Sequence, residues 1–87
     1  MEKMKELDNN WIFEENSLKR NFMFEDFNEA FDFMQKIAIE AEKINHHPSW
    51  SNTYNKLEII LTTHDTGGIS ELDFKLAKKI DSIFINK

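Results

Sequence analysis

Between Phe27 and Ile44, apolar side chains return at steps of three and four residues: Phe27, Ala30, Phe31, Met34, Ile37, Ala38, Ala41 and Ile44. That spacing lays them along one stripe of an α-helix. Such a helix is stable in water mainly through the surface its stripe packs against, so the rest of the chain must supply one. Asp26 stands where an N-cap is expected, and Glu29 three residues later completes a capping-box pattern. Phe33 and Ile39 fall off the stripe, which on this reading leaves them exposed and available to another copy of the chain. The helix is expected to stop before His46-His47-Pro48, because a residue preceding proline is pushed out of the α region.

The partner surface reads as a sheet. Trp11–Glu14 and Ser17–Phe24 have the character of two strands joined by a turn at Glu15-Asn16. In the second, Leu18, Phe22 and Phe24 alternate with Lys19, Asn21 and Met23. Arg20 falls on the apolar side, which calls for a wet edge or a partner. Tyr54–Thr62 reads as a third strand, with Leu57, Ile59 and Leu61 facing inward. Gly67-Gly68 then turns the chain, and Ser70 with Asp73 resembles a second capping box. Ile69 and Phe74 occupy hydrophobic-staple positions, and Leu72, Leu76, Ile80, Ile83 and Phe84 form the apolar face of a second helix. The expected fold is α+β: a single two-layer domain, β-β-α-β-α, with a small antiparallel sheet and both helices on one face. It covers residues 11–87, after a flexible polar lead at residues 1–10.

A chain of 87 residues makes one small domain. At that size only roughly 60–65% of the extended-chain surface is buried, so the eight phenylalanines carry much of the core. Net charge is −5 with the signs interspersed, and no basic stripe offers phosphate neutralisation, so direct nucleic-acid binding is not expected. The absence of cysteine excludes disulfides, thiolate chemistry and cysteine–zinc sites. No signal-peptide run and no bilayer-length apolar stretch is present, which leads to the expectation of a soluble, cytoplasmic protein without membrane contact.

Polar residues gather at the ends of these elements. Glu42 closes the first helix, His46-His47-Pro48 follows it, and Thr63-His64-Asp65-Thr66 follows a strand. Imidazole has an unperturbed pKa of ~6.5, so histidines around one pocket can run a general acid and a general base together. Glu42 borders the apolar stripe in the last helical turn, where the dipole disfavours an anion by ~0.3–1 kcal/mol, so a neighbouring imidazolium would suit it. Each residue also has a plainer reading. Adjacent histidines after a helix are commonly polar loop residues, Thr-His-Asp suits a solvated turn, and Asp73 suits a cap better than catalysis. Trp50 and Tyr54 suit a flat ligand or, equally, the core. Three histidines and a glutamate also suit zinc, although adjacent side chains in an extended segment diverge and chelate poorly.

Taken together, Glu42, His46, His47, Pro48, Tyr54, His64 and Asp73, with the flanking NHHPSW, NTYNKLEIILTTHDTGGIS and LDFKLAKKID, resemble the pterin-4a-carbinolamine dehydratase family. The likeness runs from about Trp11 to the last helix. Asn10-Trp11 stands where Gly-Trp is expected. The resemblance implies an α+β domain assembling as a homodimer or homotetramer. It also implies a lyase reaction on a small pterin substrate, with no metal and no cofactor. The family removes water from a 4a-hydroxy-tetrahydropterin, leaving a quinonoid dihydropterin. The resemblance assigns proton transfer to His46 and His64, substrate positioning to His47, and orientation or charge balance of His46 to Glu42. Pro48 would stiffen the loop and pack on the ring with Trp50, while Thr63, Asp65 and Thr66 would hydrogen-bond the pterin. The alternative is a non-catalytic oligomeric binding module, or a dimerisation cofactor for a transcription factor as in animal relatives.

Overall fold

Glu15 and Asn16 both take left-handed backbone, with φ of 53° and 60°, and so close a two-residue hairpin turn between the first two strands. The structure is a computed structural model describing residues 7–63 and 68–86. Within it run β1 (Ile12–Glu14), β2 (Ser17–Met23), α1 (Phe27–Lys43), β3 (Ser49–Thr53), β4 (Lys56–Leu61) and α2 (Glu71–Ile85). The strands form one sheet in the order β1-β2-β4-β3, each pair antiparallel. The fold is therefore α+β, as the sequence indicates, with one strand more than the periodicity reveals.

That extra strand is β3. Its sequence, SWSNT, carries a single large apolar residue, so no alternation announces it. It is defined by pairing, Trp50 opposite Ile59 and Asn52 opposite Leu57. The strand expected over Tyr54–Thr62 is correspondingly shorter. Tyr54 sits at φ 52° in a two-residue turn with Asn55, and the Asn52 side chain donates to the Tyr54 and Lys56 carbonyls at 3.1 and 2.8 Å.

Leu18 and Phe22 of β2 and Leu57, Ile59 and Leu61 of β4 share the buried face of the sheet. Against it lie Ala30, Phe33, Ile37 and Ala41 of α1 with Phe74, Leu76, Ala77 and Ile80 of α2. Here the expected stripe is corrected. Phe33, expected outside, is 2% exposed, whereas Phe27 and Phe31, expected inside, are 47% and 48% exposed. The reason is a ring cluster: Phe22, Phe24, Phe33 and Phe84 meet with centroids between 5.1 and 6.3 Å apart. Seating Phe33 there rotates α1 and leaves Phe27 and Phe31 stacked on each other at 6.0 Å. On α2, Leu72 likewise turns outward while Phe74 and Ala77 go in.

Arg20 points into this core, and its partner is internal. Its guanidinium donates to Asp81 Oδ1 at 2.6 Å, and its carbon lies 4.4 Å from the centre of the Phe22 ring. Trp11 Nε1 donates to the same oxygen at 2.6 Å, and the Asp8 backbone N–H donates to Asp81 Oδ2 at 3.0 Å. Asp81 thus ties the lead segment, β2 and α2 together. Leu7 is buried, so the lead expected over residues 1–10 is anchored from that point on. The Asn10 backbone N–H holds the Asp8 carboxyl below its ordinary range; burial opposes it, and the Arg20 charge and the Asn10 side chain add to the lowering.

No described helix is long and apolar enough to cross a membrane.

Asp81→Ala leaves a buried guanidinium facing the more distant Asp8 carboxylate, 3.7 Å away, and unfolding in urea is expected to show a loss of about 3–5 kcal/mol. Adding Arg20→Met should restore part of it. An Asp81→Ala protein of wild-type stability would contradict this account of the core.

Candidate active site

Asn45 ends α1. It takes left-handed backbone at φ 50°, and two reversed hydrogen bonds close the helix: Asn45 N to the Glu42 carbonyl at 3.2 Å and His46 N to the Ala41 carbonyl at 3.1 Å. This pairing is a Schellman motif, and asparagine tolerates the left-handed region better than most residues. The helix therefore stops through Asn45, before the proline has any effect. The turn sends the next two side chains in opposite directions.

His46 goes inward. Its Nε2 lies 2.5 Å from Asp73 Oδ1, with the His46 side chain 11% exposed and that of Asp73 0%. Asp73 is the third residue of α2, and its Oδ2 accepts the Ser70 backbone N–H at 2.9 Å and the Thr63 hydroxyl at 2.6 Å. With Oδ2 filled by these donors, Oδ1 is the oxygen left to accept from His46. Nε2 of His46 therefore carries the hydrogen, and Nδ1 is the nitrogen left for proton exchange.

His47 goes outward, back over the last turn of α1, where its Nε2 lies 2.5 Å from Glu42 Oε2. Both side chains of this pair are well exposed, at 56% and 75%. Two expectations change here. Glu42 is exposed instead of bordering the stripe, and it pairs with His47 instead of His46. The role of carboxylate partner to His46 belongs to Asp73, whose capping position conceals it in the sequence. The available signal is an acid flanked by Leu72, Phe74 and Leu76 on a helix that needs an apolar face.

Pro48 and Trp50 are half-buried, and Trp50 packs against the core. Thr63 is half-buried at the exit of β4, with its hydroxyl given to Asp73. Tyr54 is 62% exposed in its turn. His64, Asp65 and Thr66 lie outside the described residues. The ends of α1 and β4 and the start of α2 thus converge on Asp73. The arrangement can hold one imidazole in a fixed orientation, shielded from water, beside a second at the surface. Among the described residues no group of three or more His, Asp or Glu side chains is placed to hold a metal ion.

Comparison with known proteins gives a consistent result. The family described as Pterin 4 alpha carbinolamine dehydratase matches residues 1–83. A Synechococcus protein provisionally named pterin-4-alpha-carbinolamine dehydratase is 55% identical over 73 residues, 84% of this chain and 78% of that one. A provisionally so-named protein of Christiangramia forsetii is 49% identical over 82 residues, 94% of this chain and 84% of that one. Among solved structures, a transcriptional coactivator/pterin dehydratase from Brucella melitensis superposes with a TM-score of 0.87 at 40% identity, covering 94% of this chain and 88% of its own.

If Asn45 sets the direction of His46, Asn45→Val forces a branched residue into the left-handed region. It should lower stability by about 1–2 kcal/mol in thermal or urea unfolding. Asn45→Gly should retain wild-type stability, and equal behaviour of the two variants would refute the role of the turn.

Proposed function

The chain belongs to the pterin-4-alpha-carbinolamine dehydratase family, and from that premise we propose that it dehydrates a 4a-hydroxy-tetrahydropterin by histidine acid–base catalysis. The observation that carries the proposal is the buried His46–Asp73 pair, a proton carrier whose orientation is set by a carboxylate shielded from water.

The reaction breaks the C4a–O bond and removes the N5 proton, giving the quinonoid dihydropterin and water. Hydroxide leaves poorly, so an acid must protonate it, and a base must accept the proton from N5. His46 serves this traffic through Nδ1, because its Nε2 is held by Asp73. His64 is the second carrier, assigned by its place in the sequence motif. His47 and Glu42 act at the rim, where an exposed imidazole held by the carboxylate at 2.5 Å can position the substrate. Pro48 and Trp50 border the ring, and Asp65 and Thr66 supply polar contacts to the pterin edge. A role in tetrahydropterin recycling and a cytoplasmic location belong to the same proposal.

The test is the decay of a 4a-hydroxy-tetrahydropterin followed by absorbance. Wild type should accelerate it, and His46→Ala and His64→Ala should each slow turnover by about 10²–10⁴-fold. If both variants and wild type share the uncatalysed rate, the enzyme reading is lost.

Assembly as a homodimer or homotetramer is also proposed. Its support is the exposed apolar surface of α1, now Phe27, Phe31 and Ile39 instead of Phe33. Phe33→Ala should cost about 3–5 kcal/mol of stability as a core cavity. Phe31→Ala should leave monomer stability within about 0.5 kcal/mol and reduce the native mass measured by light scattering. An unchanged mass would remove Phe31 from the interface.

A further inference from the structure

Asp73 serves His46 with one oxygen and is itself held by the other. Oδ2 takes the Ser70 backbone N–H from the start of α2 and the Thr63 hydroxyl from the end of β4. A carboxylate plane is fixed once one oxygen has two donors from different directions, and the remaining oxygen then has a single aim. Here that aim is His46 Nε2. With Asp73 fully buried, solvent does not replace a donor that is lost.

The hydroxyl protons can be followed one step further. Thr63 has one hydroxyl hydrogen, and Asp73 accepts it. The 2.8 Å contact between the Thr63 and Ser70 hydroxyl oxygens must therefore be donated by Ser70. The order Ser70 to Thr63 to Asp73 to His46 is set by the acceptor at its centre. Thr63 is also fixed through its main chain. Its N–H donates to the Gly68 carbonyl at 2.7 Å and its carbonyl accepts the Gly68 N–H at 3.3 Å. The hydroxyl is thus delivered from backbone that does not depend on it.

We propose that Thr63 is a positioning residue for His46: its hydroxyl locks the Asp73 carboxylate so that the imidazole is held as the Nε2–H tautomer, with Nδ1 open to the reacting proton. The family resemblance implies a contact of Thr63 with the pterin; its hydroxyl is given to Asp73. The consequence for turnover rests on the dehydratase reading, while the consequence for the imidazole does not.

The experiment records the ring-nitrogen NMR signals of His46 at about pH 8, where an ordinary imidazole is neutral. The exposed His47 serves as internal comparison. Wild type should show a single Nε2–H form at His46. Thr63→Val keeps the branched shape and both main-chain bonds to Gly68 but removes the donor. It should show both tautomers and a kcat lower by about tenfold, the size of one buried hydrogen bond, with KM within about twofold. Thr63→Ser returns the hydroxyl and should restore both readouts. If Thr63→Val does not fold, Thr63→Ala is measured against the same expectations. A Thr63 variant without the hydroxyl that keeps the single Nε2–H form overturns the proposal. So does a change confined to KM, which would put the hydroxyl on the substrate. Tautomer mixing in a protein whose wild type does not dehydrate pterins would leave the positioning role standing and remove the functional reading.

Discussion

A carboxylate removed from water must be surrounded by donors, and Asp73 draws its own from three separate places in the chain. Ser70 comes from the helix it caps, Thr63 from the strand before that helix, and His46 from the end of the other helix. Unpaired, a charge at that depth would cost several kcal/mol, so these segments are bound to meet whenever the domain folds. The local demand of a helix N-terminus for an acceptor and the demand of an imidazole for an orienting partner are met by one side chain. Capping and site assembly are the same interaction.

Asp81 does the equivalent work two turns along α2. Arg20, Trp11 and the Asp8 backbone converge on it, joining the lead segment and β2 to the second half of the helix. Together the two aspartates fix α2 near its first turn and again toward its far end. The apolar core gives most of the burial, but it does not by itself specify how the helix is rotated or shifted. Two buried carboxylates with named donors do. The position of His46 follows from that, because its partner is rigid only if the helix bearing it is rigid.

The phenylalanines show where sequence patterning loses resolution. Around α1, apolar residues cover a wide arc, and a stripe drawn through Phe27 and Phe31 is as regular as one drawn through Ala30, Phe33 and Ile37. Spacing cannot choose between them. The choice falls to shape: Phe33 completes the cluster with Phe22, Phe24 and Phe84, and a ring at Phe27 or Phe31 has no such neighbours. β3 was illegible for a related reason. SWSNT has no period of its own and becomes a strand because β4 offers it an edge.

What the sequence determined by itself is local or compositional. The two helices, their caps at Asp26 and Ser70, the hairpin at Glu15-Asn16 and the inward face of β4 all depend on neighbours a few residues away. The family motif, with its histidines and carboxylates, is likewise written in order along the chain. Only the tertiary structure decided which carboxylate serves which histidine. Glu42 lies close in sequence to both, but the turn at Asn45 directs His46 inward to Asp73 and leaves Glu42 with His47. Partnerships across 27 residues are settled by packing and buried charge, and no periodicity encodes them.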